Sequence, residues 1–404
     1  MQRIGALQIC KFFLIAITHS PIYHTDVVCI SRVSIMLSEL EIRKFRTFKE
    51  LYVRDLSRVN LFVGRNNSGK TTILEAAEIL LSTNIVSAVA GCATRRGEIY
   101  VQREKDRAGR YVDLSHLFYG HECEVGTEFQ IKGVESNTKL ELKCVVYPSD
   151  DTSNADKAYA LFSDDDALEP RLALSIHHSR SNEPVILPIS FSGAISIDFV
   201  RRQSTKLNSD EKPVSFVRTE ALDSFELQEF WDSIALTEEE ANIIESLRIL
   251  EPMIERIAFL SSRSYYRYAS SSGGIYVKLR NLESRVPLGS LGDGIRHLLT
   301  TSTAVSRSSH GFVMIDEIDT GLHHSVMSDM WRVLIATAKR LDVQLFATTH
   351  SLDCVRSLAW LSSNEPDLCE GVRLHRVDEE RDRTVVYTPD EISIAAEQHV
   401  ELRG

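Results

Sequence analysis

Gly64, Gly69, Lys70 and Thr71 fill a G-x-x-x-x-G-K-[ST] spacing inside "VNLFVGRNNSGKTTILEAAEIL", residues 59–80. Glycines at those two places let the backbone curl until successive N–H groups and a helix N-terminus aim at one anion. Lys70 can then reach terminal phosphates, and the Thr71 hydroxyl can ligate Mg²⁺. With Arg65, Asn66, Asn67 and Ser68 between them and Thr72 behind, these residues read as a cradle for a nucleoside triphosphate, taken here as ATP. A second set lies far downstream, where "GFVMIDEID", residues 311–319, puts Asp316 and Glu317 behind an apolar run. A carboxylate there can hold Mg²⁺ through water, and its neighbour can orient or deprotonate the attacking water. His350 closes another apolar run, "VQLFATTHS", and can sense a γ-phosphate. Ahead of the acidic pair, "PLGSLGDGIRHLL" carries Ser290, Gly292, Asp293 and Gly294 at a helix entrance. Such a start also seeks phosphate. Serving its own P-loop it would be redundant, so its expected use is on ATP held by another copy; a plain N-cap at Ser290 is the alternative.

The flanking patterns say what must hold these residues. Val59 to Val63 is an apolar run of strand length, and from Thr71 onward Ile73, Leu74, Ala77 and Leu80 recur on one helical face. Residues 312–348 read as strand, helix (Ser325 to Arg340) and strand. That unit brings both strand ends to one edge of a parallel sheet, so His350 is expected beside Asp316 and Glu317. Before the P-loop, Leu40, Ile42, Phe45, Phe48, Leu51 and Val53 alternate with polar residues as a small sheet would. From Glu122 to Arg202 come short β-like runs, "TEFQIKG", "KLELKCVVYP", "RLALSIHH", "PVILPISFSG" and "AISIDFVRR", interrupted by an acidic loop over 148–170. A helical stretch follows from Leu222 to Leu250 with a capping box at Thr237 and Glu240, and then a strand, "IERIAFLSS". The long interval between Lys70 and Asp316 implies a large intervening segment. The division expected is an extension over 1–35, an N-terminal ATPase part over 36–121, an inserted β-rich and helical segment over 122–255 and a C-terminal ATPase part over 256–404.

Composition sets the outer limits. The 404 residues, 43% apolar and 25% charged, describe an ordinary globular chain, and a net charge of −11 argues against a surface that grips nucleic acid throughout, leaving room for a local basic patch. Seven cysteines without a C-x-x-C pair suggest neither a disulfide framework nor a zinc site and fit a cytoplasmic location. "IGALQICKFFLIAIT" near the N-terminus is too short, and too interrupted by Lys11, for a membrane span. Met36 directly precedes the first expected strand, so residues 1–35 read as an over-extended start. The chain beyond His350 is too short for another α/β domain of ordinary size.

The motifs "GRNNSGKTT", "SLGDGIRHLL", "VMIDEIDTGLHH" and "ATTHS", in this order, resemble the ABC-type ATPases of the OLD (overcoming lysogenization defect) group, relatives of RecF and the SMC proteins. The resemblance covers residues 37–404 and implies an α/β P-loop NTPase of ABC-ATPase type, with a mixed or parallel central sheet and an antiparallel β subdomain. It implies that Gly64 to Thr72 bind phosphates, that Thr71 and Asp316 hold Mg²⁺, that Glu317 is the catalytic base, that Ser290 to Gly294 act in trans and that His350 is the switch histidine. The signature lacks the L-S-G-G-Q spelling, so the resemblance leaves open which of its residues touches the γ-phosphate. Gln102 is only a candidate for the Q-loop, and His323 and His324 are either dimer contacts or plain surface histidines. A homodimer closed by ATP, gating a separately encoded effector in DNA repair or defence against phage and plasmids, is the leading expectation. A RecF-like DNA-binding ATPase, a small-molecule P-loop kinase and a transporter ATPase subunit are the alternatives.

Overall fold

The structure, a computed structural model, describes residues 36–104, 107–148, 172–204, 212–218, 224–260 and 274–398. The N-terminal extension and the acidic loop read over 148–170, apart from Pro148, therefore lie outside the described residues. Its centre is a six-stranded sheet in the order Val214–Val217, Phe312–Ile315, Gln344–Thr348, Val59–Val63, Val372–Arg376, Val385–Tyr387. The first five strands run parallel and the last returns antiparallel. Parallel strands covered on both faces read as continuous apolar runs, and the burial shows why. Leu61, Val313, Ile315, Leu345 and Ala347 enter one core, while Phe62, Phe312, Met314 and Phe346 enter the other.

The helix Lys70–Leu81 covers the second of these faces, and the helices Asp293–Arg307, Met327–Arg340 and Leu352–Asn364 cover the first. Register places Thr348 opposite Phe62 and Arg376 opposite Val63, so the functional strand ends share one edge.

A second six-stranded sheet is wholly antiparallel, in the order Phe48–Val53, Leu37–Phe45, Glu128–Glu135, Thr138–Pro148, Leu172–His178, Val185–Ile189. The alternating residues Leu40, Ile42, Phe45, Phe48, Leu51 and Val53 are all buried in it. Residues 122–255 share their sheets with the segments before and after them. Their strands continue the sheet begun by Leu37–Phe45, and Val214–Val217 forms the edge of the parallel sheet beside Phe312–Ile315. The reading of "AISIDFVRR" as a strand also needs correction: only Ala194–Ser196 is extended, and Ile197–Ser204 is a helix that buries Phe199 against the helix Ile85–Arg95. The helical stretch read from Leu222 to Leu250 is two helices, Ser224–Ile234 and Glu238–Leu247, broken where Leu236 takes φ 66. Thr237 caps the second by accepting from the Glu239 N–H at 3.2 Å, and Glu240 reaches back to the N–H of Leu236 at 2.5 Å. Gln102 falls on Ile99–Glu104, in a small three-stranded sheet. Cys92, Cys123, Cys144, Cys354 and Cys369 are buried and unpaired. Among the described residues no helix is long and apolar enough to cross a membrane.

The sheet interior carries a titration of its own. His375, beside the P-loop strand, is fully buried, stacks on Phe62 at 4.9 Å between ring centroids and lies 3.4 Å from Asn60 Oδ1. Burial, with Arg373 adding to it, lowers its pKa to about 3. A depressed imidazole pKa means that the unfolded chain takes up the proton first. Its contribution to stability is therefore present above the unfolded value of about 6.5 and is lost as pH falls from there towards about 3, at up to about 1.4 kcal/mol per pH unit. Chemical denaturation between pH 7 and 5 should show His375→Gln with a shallower fall in stability than the parent chain. An unchanged slope would place the acid sensitivity elsewhere, on His178 and His297, whose pKa values burial also lowers.

Candidate active site

The loop after Val59–Val63 turns into its helix through Gly69, at φ 90. A Cβ at Gly69 would lie 2.3 Å from Phe48 Cζ, so this position needs glycine both for its left-handed backbone and for the ring packed against it. Lys70 folds its ammonium back over the loop, donating to the carbonyls of Gly64 at 2.9 Å and Arg65 at 2.7 Å. Burial lowers its pKa, and the carboxylates of Asp316 and Glu317 pull it back up. Arg65, Asn66 and Asn67 are exposed, whereas Gly64, Ser68 and Thr72 are buried.

The two halves of the constellation meet although they are far apart in the chain. Thr71 Oγ1 lies 3.0 Å from Asp316 Oδ1 and 3.2 Å from Oδ2. Thr348, at the end of the neighbouring strand, donates its hydroxyl to Asp316 Oδ1 at 2.6 Å and accepts the Glu317 N–H at 2.9 Å. Glu317 sits at φ 52, a left-handed backbone costly for a residue with a side chain. That N–H bond, with the Ile318 N–H donating to the Thr348 carbonyl at 3.0 Å, holds it there. The result points the Glu317 side chain towards His350, whose Nδ1 lies 3.6 Å from Glu317 Oε1. Both side chains are partly open to solvent.

The donor set can be tested against the ion it implies. Thr71 and Asp316 offer one hydroxyl and one carboxylate, hard oxygens suited to Mg²⁺. No group of three or more His, Cys, Asp or Glu side chains among the described residues could hold a metal on its own. Mg²⁺ commonly takes one or two protein oxygens and completes its shell with substrate phosphates and water, so the residues present fit that ion.

The signature segment is placed differently. Leu288–Leu291 forms a short 3-10 turn, Gly292 takes φ 100, and the helix Asp293–Arg307 begins there. Ser290, Gly292 and Asp293 are exposed, and no cap hydrogen bond comes from a side chain at this helix start. Gly294 is buried: a Cβ on it would stand 2.3 Å from the carbonyl oxygen of Gly321, in the segment that follows Glu317. One turn further on, His297 is buried beside Ile318 and Asp319, and burial pushes its pKa down. The signature helix is thus seated through Gly294 on the residues behind the acidic pair, with Gly292 and Asp293 exposed at its start. His323 and His324 are exposed, and His323 Nδ1 accepts the Ser325 N–H at 3.4 Å.

Two groups of residues escaped the reading of the sequence. Thr348 belongs to "ATTHS", but its role depends on a side chain that bridges two strand ends. Behind the P-loop helix, the buried Glu75 pairs with Arg46 at 2.7 Å and Arg96 at 2.9 Å, and Arg96 also donates to Thr72 Oγ1 at 3.2 Å. Only the charges themselves, on otherwise apolar elements, could have pointed to it.

Residues 59–353 match the family described as "AAA domain, putative AbiEii toxin, Type IV TA system". Over 337 residues, 80% of this chain and 87% of the relative, the sequence is 21% identical to a Helicobacter pylori protein described as an ATP/GTP phosphatase. Among solved structures, the Pyrococcus furiosus Smc head domain bound to the C-terminal domain of ScpA covers 91% of this chain and 100% of its own, at 10% identity and a TM-score of 0.44. The SMC head domain from Thermotoga maritima covers 87% and 98%, at 12% identity and a TM-score of 0.40.

Proposed function

The chain belongs to this AAA domain family, and from that premise we propose that it is an OLD-like ABC-type ATPase that dimerises on ATP and gates a separate effector. The observation that carries the hydrolytic part is the meeting of Thr71, Asp316, Glu317 and His350 at one sheet edge. The loop from Gly64 to Thr72 wraps the phosphates, and Lys70 leaves its two carbonyls to meet the terminal ones. Mg²⁺, held by Thr71 and Asp316, would neutralise charge on the phosphates. Glu317 takes a proton from water as the water oxygen bonds to the γ-phosphorus and the bond to the β–γ bridging oxygen breaks, leaving ADP and phosphate. His350 orients Glu317 and meets the γ-phosphate.

Dimerisation is our reading of the exposed Ser290, Gly292 and Asp293, which present a helix N-terminus to solvent beside Gly294, the residue packed on Gly321. That element gains a function when it caps a nucleotide on a second copy. A two-fold pair then has two composite sites. Ser290→Arg alone and Lys70→Ala alone should each be inactive in hydrolysis. Mixed, they should regain activity, because one composite site in each mixed dimer keeps both its P-loop and its signature. A verified mixed dimer without activity would sink the arrangement in trans. The effector, the role in repair or defence and the cytoplasmic setting remain parts of the same proposal. The acidic balance of the chain favours a protein partner over extensive contact with DNA.

A further inference from the structure

The proposed site fixes a direction for the nucleotide. Asp316, Glu317 and His350 follow Phe312–Ile315 and Gln344–Thr348, which lie on one side of the P-loop strand. With the γ-phosphate turned to them, the sugar and base would extend over the opposite neighbour, Val372–Arg376, whose end is tied to the P-loop strand by the Val377 N–H donating to the Val63 carbonyl at 2.8 Å. A cavity of about 280 Å³ opens there, between Arg65 and Ser68 of the P-loop and the segment carrying Arg376, Asp378, Glu379 and Glu380. Two polar atoms at its wall, Ser68 Oγ and Arg376 Nε, are buried and have no hydrogen-bond partner among the described residues. Ser68 is only 3% exposed, so its hydroxyl is an unmet polar group inside a built wall.

We propose, resting on the nucleotide reading above, that this cavity takes the base of the bound nucleotide and that Glu379 and Glu380 select guanine, making GTP the tighter-binding substrate. Asp378 shapes the turn: it accepts the Glu380 N–H at 3.3 Å and pairs with Arg381 at 3.4 Å. No hydrogen bond or ion pair ties the Glu379 or Glu380 carboxylate to another described residue. An ionised carboxylate only accepts hydrogen bonds. Guanine presents two adjacent donors, N1–H and the 2-amino group, which one carboxylate can take together. Adenine presents its 6-amino group next to N1, an acceptor, and the second contact becomes repulsive.

The test is equilibrium binding of GTP, ATP and xanthosine triphosphate to the full chain with Mg²⁺, for the parent, the double variant Glu379→Gln with Glu380→Gln, and Lys70→Ala. A charge-assisted hydrogen bond sets the scale, so the parent should hold GTP about 10-fold or more tighter than ATP. The double variant should lose that margin through weaker GTP binding and leave ATP within about threefold, well inside the worth of one such bond. Its xanthosine triphosphate binding should rise, because a glutamine amide can donate to the 2-carbonyl of xanthine while its oxygen accepts N1–H. A parent chain that binds ATP as tightly as GTP would overturn the inference, and so would a double variant that shifts GTP and ATP equally. Lys70→Ala separates the two levels. If it still binds all three nucleotides, the P-loop reading fails; if it binds none, that reading holds and the base inference stands or falls on the double variant.

Discussion

Glu317→Gln should slow nucleotide hydrolysis by about 10²- to 10⁴-fold, the usual worth of a positioned general base, and leave nucleotide affinity unchanged. The amide matches the carboxylate in shape and cannot accept the proton. The left-handed backbone at Glu317 is held by Thr348 through main-chain N–H groups, so the substitution leaves it in place. Thr71 and Asp316 keep their contact, and the P-loop keeps its donors. Lys70→Ala should behave in the opposite way: the loop loses the one ammonium that faces Asp316 and Glu317, and binding itself fails. Single-turnover hydrolysis beside equilibrium binding separates the two. A Glu317→Gln protein that turns over at the parent rate would remove Glu317 from the base role, and His350, the next titratable group on this edge, would take its place as the group to test.

What the sequence made legible follows from how local each feature is. The P-loop could be read because strand, turn and helix are consecutive, and its glycines occur where a turn and a packed ring demand them. The approach of His350 to Glu317 was also readable, since a strand–helix–strand unit permits one handedness and one shared edge. Val214–Val217 was not, because so short a run gains its place from pairing with Phe312–Ile315 and from Ser308 at the end of Asp293–Arg307, almost a hundred positions away. The same reason hides the union of Leu37–Phe45 with Glu128–Glu135: alternation shows which face of a strand is buried and not which strand it joins. "AISIDFVRR" misled because Ala194–Ser196 and the helix after it share one apolar run, too short for periodicity to divide. Glu75 lay beyond pattern altogether. A carboxylate on the buried face of the P-loop helix breaks the stripe, and only its partners explain it.

Those partners give the second large effect, Glu75→Ala at about 3–5 kcal/mol of lost stability, the scale for breaking a buried ion pair from one side. Glu75 is 1% exposed and Arg46 3%, so neither charge can fall back on water. Arg46 comes from the turn between Leu37–Phe45 and Phe48–Val53, where it takes φ 52, and it also reaches Glu98 Oε1 at 2.8 Å. That contact moderates the loss but cannot replace Glu75, because Arg46 Nε then loses the carboxylate that lies 2.7 Å from it. Arg96 is half-buried and can turn to solvent, so most of the cost falls on Arg46. Replacing both buried partners, as Arg46→Met with Glu75→Leu, should recover much of the loss, since no charge is then stranded. Chemical denaturation of the single and double variants measures this, and a Glu75→Ala chain within about 1 kcal/mol of the parent, the range of an exposed pair, would show that the network is not stabilising. The double variant carries a further consequence. It removes the anchor that holds Arg96 against Thr72 Oγ1, so a stable double variant with weakened nucleotide binding would show that this charge cluster also sets the first turn of the P-loop helix.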